Sequence, residues 1–233
     1  MDSSLSTALM AGFLLGVRHA LDADHVAAVS TLVSQHRSVL RSCLLGTFWG
    51  VGHTVALLGA GLVMIVFKLT ITPETEKVME SVVALMLIAL GGHVVLRSLG
   101  RLHVHRHEHS HGDGRHAHVH AHLGGDSEHA HVHFLRAGGR PLLVGLIHGL
   151  AGSAALTLLV MSTLPSTMGA IVYILVFGVG STIGMLLLSG VIGIPFALSA
   201  SRSRGANALV QALAGTATLV LGLVLLAGFS DPR

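Results

Sequence analysis

The chain has 233 residues, of which 52% are hydrophobic and only 11% are charged, and its formal net charge is +3. Soluble domains carry about 25% charged residues, so this composition excludes an ordinary water-soluble globular protein. The basic residues are not clustered with aromatic residues, which argues against nucleic-acid binding, and the single cysteine, Cys43, excludes both an internal disulfide and a thiolate metal site.

Six apolar segments are each long enough to cross a hydrocarbon layer of about 30 Å as a helix. They lie at residues 6–33, 42–67, 79–99, 141–164, 168–199 and 207–229. The first lacks a basic leader and contains ionisable residues, so it does not have the pattern of a cleaved signal peptide. The sequence therefore predicts an all-α multi-pass membrane protein with six transmembrane helices.

The first segment contains RHALDADH at residues 18–25. Ionisable side chains inside a membrane are costly and usually functional. Imidazole and carboxylate together suit borderline dications such as nickel, cobalt or zinc. We therefore interpret His19, Asp24 and His25 as candidate metal ligands.

Two neighbours of these ligands, Arg18 and Asp22, are predicted as supporting residues. On one continuous helix, His19, Asp22 and His25 would share a face, and Asp24 would lie about 100° further round. Arg18 and Asp22 are four residues apart, so the alternative is that they only neutralise each other.

Two further histidines lie in apolar segments. His53 is flanked by Gly50 and Gly52, which leave room for its ring, although a histidine in this setting also often bonds a backbone carbonyl. His148 occupies a position equivalent to His19 in an internal repeat. We predict both as metal ligands.

The repeat relates the two halves of the chain. Leu14, Gly16, His19 and Leu21 recur 129 residues later, and GVGHTV at 50–55 recurs 128 residues later as GVGSTI. Ser153 and Ser181 stand at the positions of Asp24 and His53, and we predict them as weak supporting oxygen donors. A duplicated unit with three spans inverts its second copy, which is a transporter architecture. The predicted units are 1–99 and 141–233, unless glycine-rich helices match by chance.

Pairs of glycines four residues apart predict close approach between helices. They occur in the first, second, fourth and fifth segments: Gly12 and Gly16, Gly46 and Gly50, Gly145 and Gly149, and Gly180 and Gly184. We expect these four segments at the centre of the bundle.

Basic residues predict the orientation. Ten fall on one side and three on the other, the former being Arg37, Arg41, Arg97, Arg101, Arg106, Arg115, Arg136, Arg140, Arg202 and Arg204, the latter Lys68, Lys77 and Arg233. The positive-inside rule then makes the loops at 34–41, 100–140 and 200–206 cytoplasmic, with both termini outside.

Residues 100–140 are predicted to form a disordered cytoplasmic loop, because they contain too little apolar surface to fold alone. The loop contains 12 of the 18 histidines: His103, His105, His107, His109, His111, His116, His118, His120, His122, His129, His131 and His133. Neutral imidazoles at this density predict a low-specificity metal buffer. The alternative is a pH-responsive solvated linker.

The motifs RHALDADHV and GTFWGVGHTVAL resemble the nickel/cobalt transporter superfamily (NiCoT/NicO). GLIHGLAGSAAL and the chain length are most similar to its UreH-type urease-accessory members. The resemblance implies gradient-driven permeation of Ni²⁺ or Co²⁺ across a bacterial plasma membrane, with the ion as substrate and no separate cofactor. The later motifs lack the carboxylates of the larger importers, so export remains an alternative.

A second alternative is a non-transporting membrane protein that delivers metal for urease or hydrogenase maturation. Metal chaperones or urease-maturation proteins are then possible partners, beside the metal ion and the bilayer. No HExxH pattern lies in a predicted membrane helix, so we predict no enzyme. The sequence predicts neither the preferred metal nor the oligomeric state.

Overall fold

The computed structural model describes residues 3–69, 72–100, 103–111, 114–122, 134–151 and 166–230. Within these ranges it has seven helices and one two-stranded hairpin. They are α1 (Ser3–His19), α2 (Ala23–Val33), α3 (Val39–Phe67), α4 (Pro73–Ser98), β1 (His103–His111), β2 (Gly114–His122), α5 (Phe134–Ala151), α6 (Thr167–Arg202) and α7 (Arg204–Ser230).

Four helices, α3, α4, α6 and α7, are long and apolar enough to span a membrane, judged by length and composition. Large apolar side chains lie on their outer surfaces; Leu198 and Val224, for example, are 64% and 61% exposed. Such surfaces are unfavourable in water and normal against lipid. The prediction of a helical multi-pass membrane protein is confirmed at this level. Residues 152–164 of the fourth predicted span lie outside the described residues.

The prediction of a single helix over residues 6–33 is wrong, because the helix is interrupted by a turn between α1 and α2. The backbone turns at Leu21 and Asp22, whose amides donate to the carbonyls of Arg18 and His19. Asp22 is extended, with ψ 149°, and its carboxylate accepts a hydrogen bond from the His19 ring. Aspartate favours helix boundaries because its short side chain offers such local bonds.

The eight paired glycines predicted to mediate close packing all do so. A Cβ atom added at any of them would overlap an atom of another helix. Gly16 of α1 lies against the carbonyl oxygen of Phe177 in α6, and Gly145 of α5 lies against the carbonyl oxygen of Trp49 in α3. These contacts hold α1 on α6 and α5 on α3, while α3 also packs on α6 and α4 packs on α7.

Several polar contacts gather at one end of the bundle. The guanidinium of Arg97, at the end of α4, donates to the side-chain oxygen of Gln35 at 2.8 Å. The amide of Gln211 in α7 donates to the carbonyl of Ser34 at 2.9 Å. The turn at 34–38 therefore lies beside the end of α4 and the first part of α7.

The histidine-rich segment differs from the predicted disordered loop. Strands β1 and β2 pair in antiparallel register from His103 opposite His122 to His111 opposite Gly114. Histidine at every second residue matches the two-residue period of a strand. The predicted loop also extended to residue 140, whereas α5 begins at Phe134. Residues 112–113 and 123–133, with His129, His131 and His133, lie outside the described residues.

Candidate metal centre

Four helices bring four histidines into one cluster. His19 ends α1, His25 lies in the first turn of α2, His53 lies within α3, and His148 lies near the end of α5. The His25 ring centroid is 4.3 Å from that of His19 and 4.1 Å from that of His148. The His53 centroid is 5.2 Å from His19, 5.3 Å from His25 and 6.0 Å from His148.

The cluster lies deep in the bundle. His25, His53 and His148 are fully buried, and the His19 side chain is only 10% exposed. The break after α1 makes this arrangement possible, because it turns the start of α2 inward beside the end of α1. The histidines that the sequence predicted as ligands are thus close together.

Two carboxylates determine which ring nitrogens carry a proton. His19 donates from Nδ1 to Oδ2 of Asp22 at 2.8 Å, and His25 donates from Nδ1 to Oδ1 of Asp24 at 2.9 Å. His148 donates from Nε2 to the second oxygen of Asp24, also at 2.9 Å. An ionised carboxylate only accepts hydrogen bonds, so each of these nitrogens must bear the hydrogen.

The opposite nitrogens of these rings have no hydrogen-bond partner among the residues that the structure describes. Nε2 of His19, Nε2 of His25, Nδ1 of His148 and both ring nitrogens of His53 are buried without one. A neutral ring protonated at one nitrogen presents a lone pair at the other. Buried polar atoms without partners are rare and destabilising, so their concentration here indicates a ligand site.

The ligand atoms form two overlapping groups. One atom each from His19, His25 and His53 lie within 4.8 Å of one another, and so do atoms of Asp24, His25 and His148. His25 belongs to both groups. The donors are imidazole nitrogens with one carboxylate, which suits a borderline transition-metal dication better than magnesium or calcium.

Two aromatic residues outside the predicted set form walls of the site. The Trp49 ring lies 5.3 Å from His25 and 5.4 Å from His148, and Phe177 lies 5.6 Å from His19. Both residues are buried. The internal repeat contained the signal, since Trp49 and Phe177 are 128 residues apart, the spacing of the two GVG motifs.

The residues predicted to support the site differ in burial and in their contacts with the histidines. Asp22 bonds His19 and its side chain is 56% exposed, while Arg18 is exposed. The predicted stripe of His19, Asp22 and His25 on one helix face is wrong, because the helix breaks there and Asp24 is the carboxylate that contacts two rings. Ser181 is fully buried in α6, and none of the described residues bonds its hydroxyl. Ser153 lies outside the described residues.

The comparisons with known proteins agree with this chemistry. Residues 5–227 match the NicO family, described as high-affinity nickel-transport protein. The chain is 40% identical over 219 residues, 94% of its own length and 90% of the relative's, to the urease accessory protein UreH of Bacillus sp. (strain TB-90). No solved structure matches. Because the family match covers nearly the whole chain, the chain belongs to the NicO family of nickel-transport proteins.

Proposed function

We propose that this protein is a membrane permease for Ni²⁺, with Co²⁺ as the closest alternative ion. The ion binds among His19, Asp24, His25, His53 and His148. One observation carries the proposal: ring nitrogens from four helices lie together inside the bundle, beside a carboxylate and without a hydrogen-bond partner in the described part of the chain. The carboxylate offsets part of the charge of the dication, and the imidazoles replace several of its waters.

Asp24 has a second role in this proposal. It holds the rings of His25 and His148 at once, so that their unprotonated nitrogens are available to the ion. Outer carboxylates of this kind fix the orientation of ligating histidines and raise their basicity. Asp22 does the same for His19 alone.

We propose further that six spans form two inverted repeats of three. Reciprocal contacts support this arrangement: Gly50 lies against Thr182, and Gly178 lies against Thr54. The Thr54 and Thr182 hydroxyls are 3.3 Å apart and separated by 128 residues, the offset of the repeat. Equivalent residues meet in this way near a two-fold axis.

Movement of one repeat against the other then exposes the ion to either side of the membrane in turn. Protons compete with the ion, because only a neutral imidazole nitrogen donates a lone pair. A proton gradient therefore supplies a means of release on one side.

The orientation follows from the basic residues. The loops at 34–41, 100–140 and 200–206 face the cytoplasm of a bacterial plasma membrane, and both termini face outward. The contacts of Gln35 with Arg97 and of Ser34 with Gln211 support placing these connections at one end of the bundle. Import is our preferred direction.

The test is ⁶³Ni²⁺ flux into proteoliposomes of known orientation under an imposed pH gradient, with cobalt and zinc as competitors. His25→Ala and His53→Ala remove ring nitrogens from the centre and should abolish flux. His93→Ala is the matched control, since His93 is exposed on α4. Wild-type flux in both centre variants, with folding intact by size-exclusion chromatography, would reject the site.

A second function is favoured by the relative named as a urease accessory protein. In this alternative the chain binds nickel at the same centre and passes it to urease-maturation proteins without transporting it. Binding of such proteins together with no vesicle flux would favour delivery. Flux without any partner favours the permease.

A further inference from the structure

The hairpin of β1 and β2 aligns histidines opposite one another. The four opposed pairs are His103 with His122, His105 with His120, His107 with His118, and His109 with His116. Only His111 is opposite a different residue, Gly114. Each of the other histidines in these two strands therefore has a histidine as its cross-strand neighbour.

Strand geometry places all nine of these histidines at positions on one face. Residues two apart in a strand share a face, and so do residues directly opposite each other in a pair. The positions of the other face are Val104, Arg106, Glu108, Ser110, Arg115, Ala117, Val119 and Ala121. An unstructured metal buffer depends only on the number of its histidines. This register instead aligns the histidines in two adjacent rows along the hairpin.

The spacing of the rows suits metal coordination. Opposed residues have Cβ atoms about 5 Å apart, and successive pairs are about 7 Å apart along the strands. Two neighbouring pairs thus bring four histidine positions within reach of one ion. Four nitrogens at about 2.0–2.1 Å make a complete coordination shell for a dication such as zinc. The histidine face contains no carboxylate or thiol position, which disfavours calcium and magnesium.

We propose that the hairpin is a metal-binding ladder that holds two borderline dications. One ion binds between the pair His103–His122 and the pair His105–His120. The second binds between the pair His107–His118 and the pair His109–His116. Each ion joins β1 to β2, so metal binding and formation of the hairpin stabilise each other. The membrane centre, defined as His19, Asp24, His25, His53 and His148, takes no part in this binding. The proposal does not depend on the function proposed for that centre.

Three chains of identical composition test the ladder, all full-length and carrying His25→Ala to remove the membrane centre. The first has no other change. The second exchanges neighbouring residues in β1 and so moves three histidines to the opposite face: Val104→His, His105→Val, Arg106→His, His107→Arg, Glu108→His and His109→Glu. The third adds the matching exchanges in β2: His116→Ala, Ala117→His, His118→Val, Val119→His, His120→Ala and Ala121→His.

The third chain rebuilds three opposed pairs on the other face, because residues 104, 106 and 108 are opposite 121, 119 and 117, while His103 and His122 keep their positions. Binding of Ni²⁺ alone is measured by equilibrium dialysis of the purified proteins in detergent. Size-exclusion chromatography checks that the membrane helices remain folded.

We expect the second chain to bind about two fewer nickel ions at low micromolar metal than the first, with residual binding at the hairpin weaker by about tenfold or more. The third chain has three opposed pairs on the new face and should regain about one ion, because each ion needs two neighbouring pairs. Equal binding by all three chains would show that composition alone matters, and would overturn the ladder. Failure of the third chain to regain binding would overturn it as well.

Discussion

Replacing Asp24 by asparagine tests the role of the carboxylate that joins two histidines. Asp24 accepts hydrogen bonds from Nδ1 of His25 and Nε2 of His148, both at 2.9 Å. An asparagine amide has one acceptor oxygen, and its NH₂ group is a donor. Asp24→Asn therefore keeps the size of the side chain but leaves one imidazole N–H facing another donor.

The expected effect can be worked from this loss. A hydrogen bond to a charged group contributes about 1.5–3 kcal/mol, and loss of an outer partner typically weakens metal binding about 10- to 100-fold. The two estimates agree, because each tenfold change in affinity corresponds to about 1.4 kcal/mol. We therefore expect nickel affinity at the membrane centre to fall about 10- to 100-fold.

The assay is nickel binding by equilibrium dialysis in a chain that lacks residues 103–133, so that the histidine-rich segment does not contribute. Asp22→Asn is the matched control, since within the described residues the Asp22 carboxylate bonds one histidine, His19, and its side chain is 56% exposed. The control should lose less affinity than Asp24→Asn. Wild-type affinity in Asp24→Asn, or a larger loss in Asp22→Asn, would refute the assignment of Asp24.

Three further predictions follow from the structure. Gly145→Ala should lower the thermal unfolding temperature, since overpacking costs about 1–3 kcal/mol. Gly59→Ala should not, because an added Cβ there would meet no side chain or neighbouring helix of the described residues within 4 Å; equal shifts would contradict the packing. Deletion of residues 103–133 should reduce the nickel bound per chain but leave vesicle flux, and complete loss of flux would place an essential site in that segment. Burial, with smaller contributions from Arg41 and Arg97, lowers the pKa of His36 below its usual 6.5, so the unfolded chain binds more protons as the pH falls through about 6.5 and the folded state loses stability. His36→Gln should therefore reduce the drop in unfolding temperature between about pH 7.5 and about pH 5.5, and an unchanged drop would contradict this reasoning.

Hydropathy and residue type were sufficient to predict the membrane helices, the contacts between helices and the candidate ligands. Long apolar segments predict membrane helices, because the hydrocarbon core requires satisfied backbone groups and apolar side chains over a fixed length. Glycines four residues apart predicted the contacts between helices, as at Gly16 and Gly145. His19, Asp24, His25, His53 and His148 were selected for the cost of ionisable groups in lipid, and the structure brings these five together.

Other features could not be read from hydropathy. The helix break before Ala23 interrupts a segment whose apolar pattern continues on both sides, and it coincides with the local bond between His19 and Asp22. The walls formed by Trp49 and Phe177 depend on contacts between distant parts of the chain, because α3 and α6 pack around the rings.

The sequence by itself determined the class of protein, the chemical identity of the candidate ligands and the internal offset of the repeat, because these depend on composition and local spacing. The tertiary structure decided that Asp24 bonds His148, 124 residues away, while also bonding His25. It also decided which ring nitrogens receive no hydrogen bond from the described residues. Both depend on the packing of α5 against α3 beside the broken first segment, which no local pattern specifies.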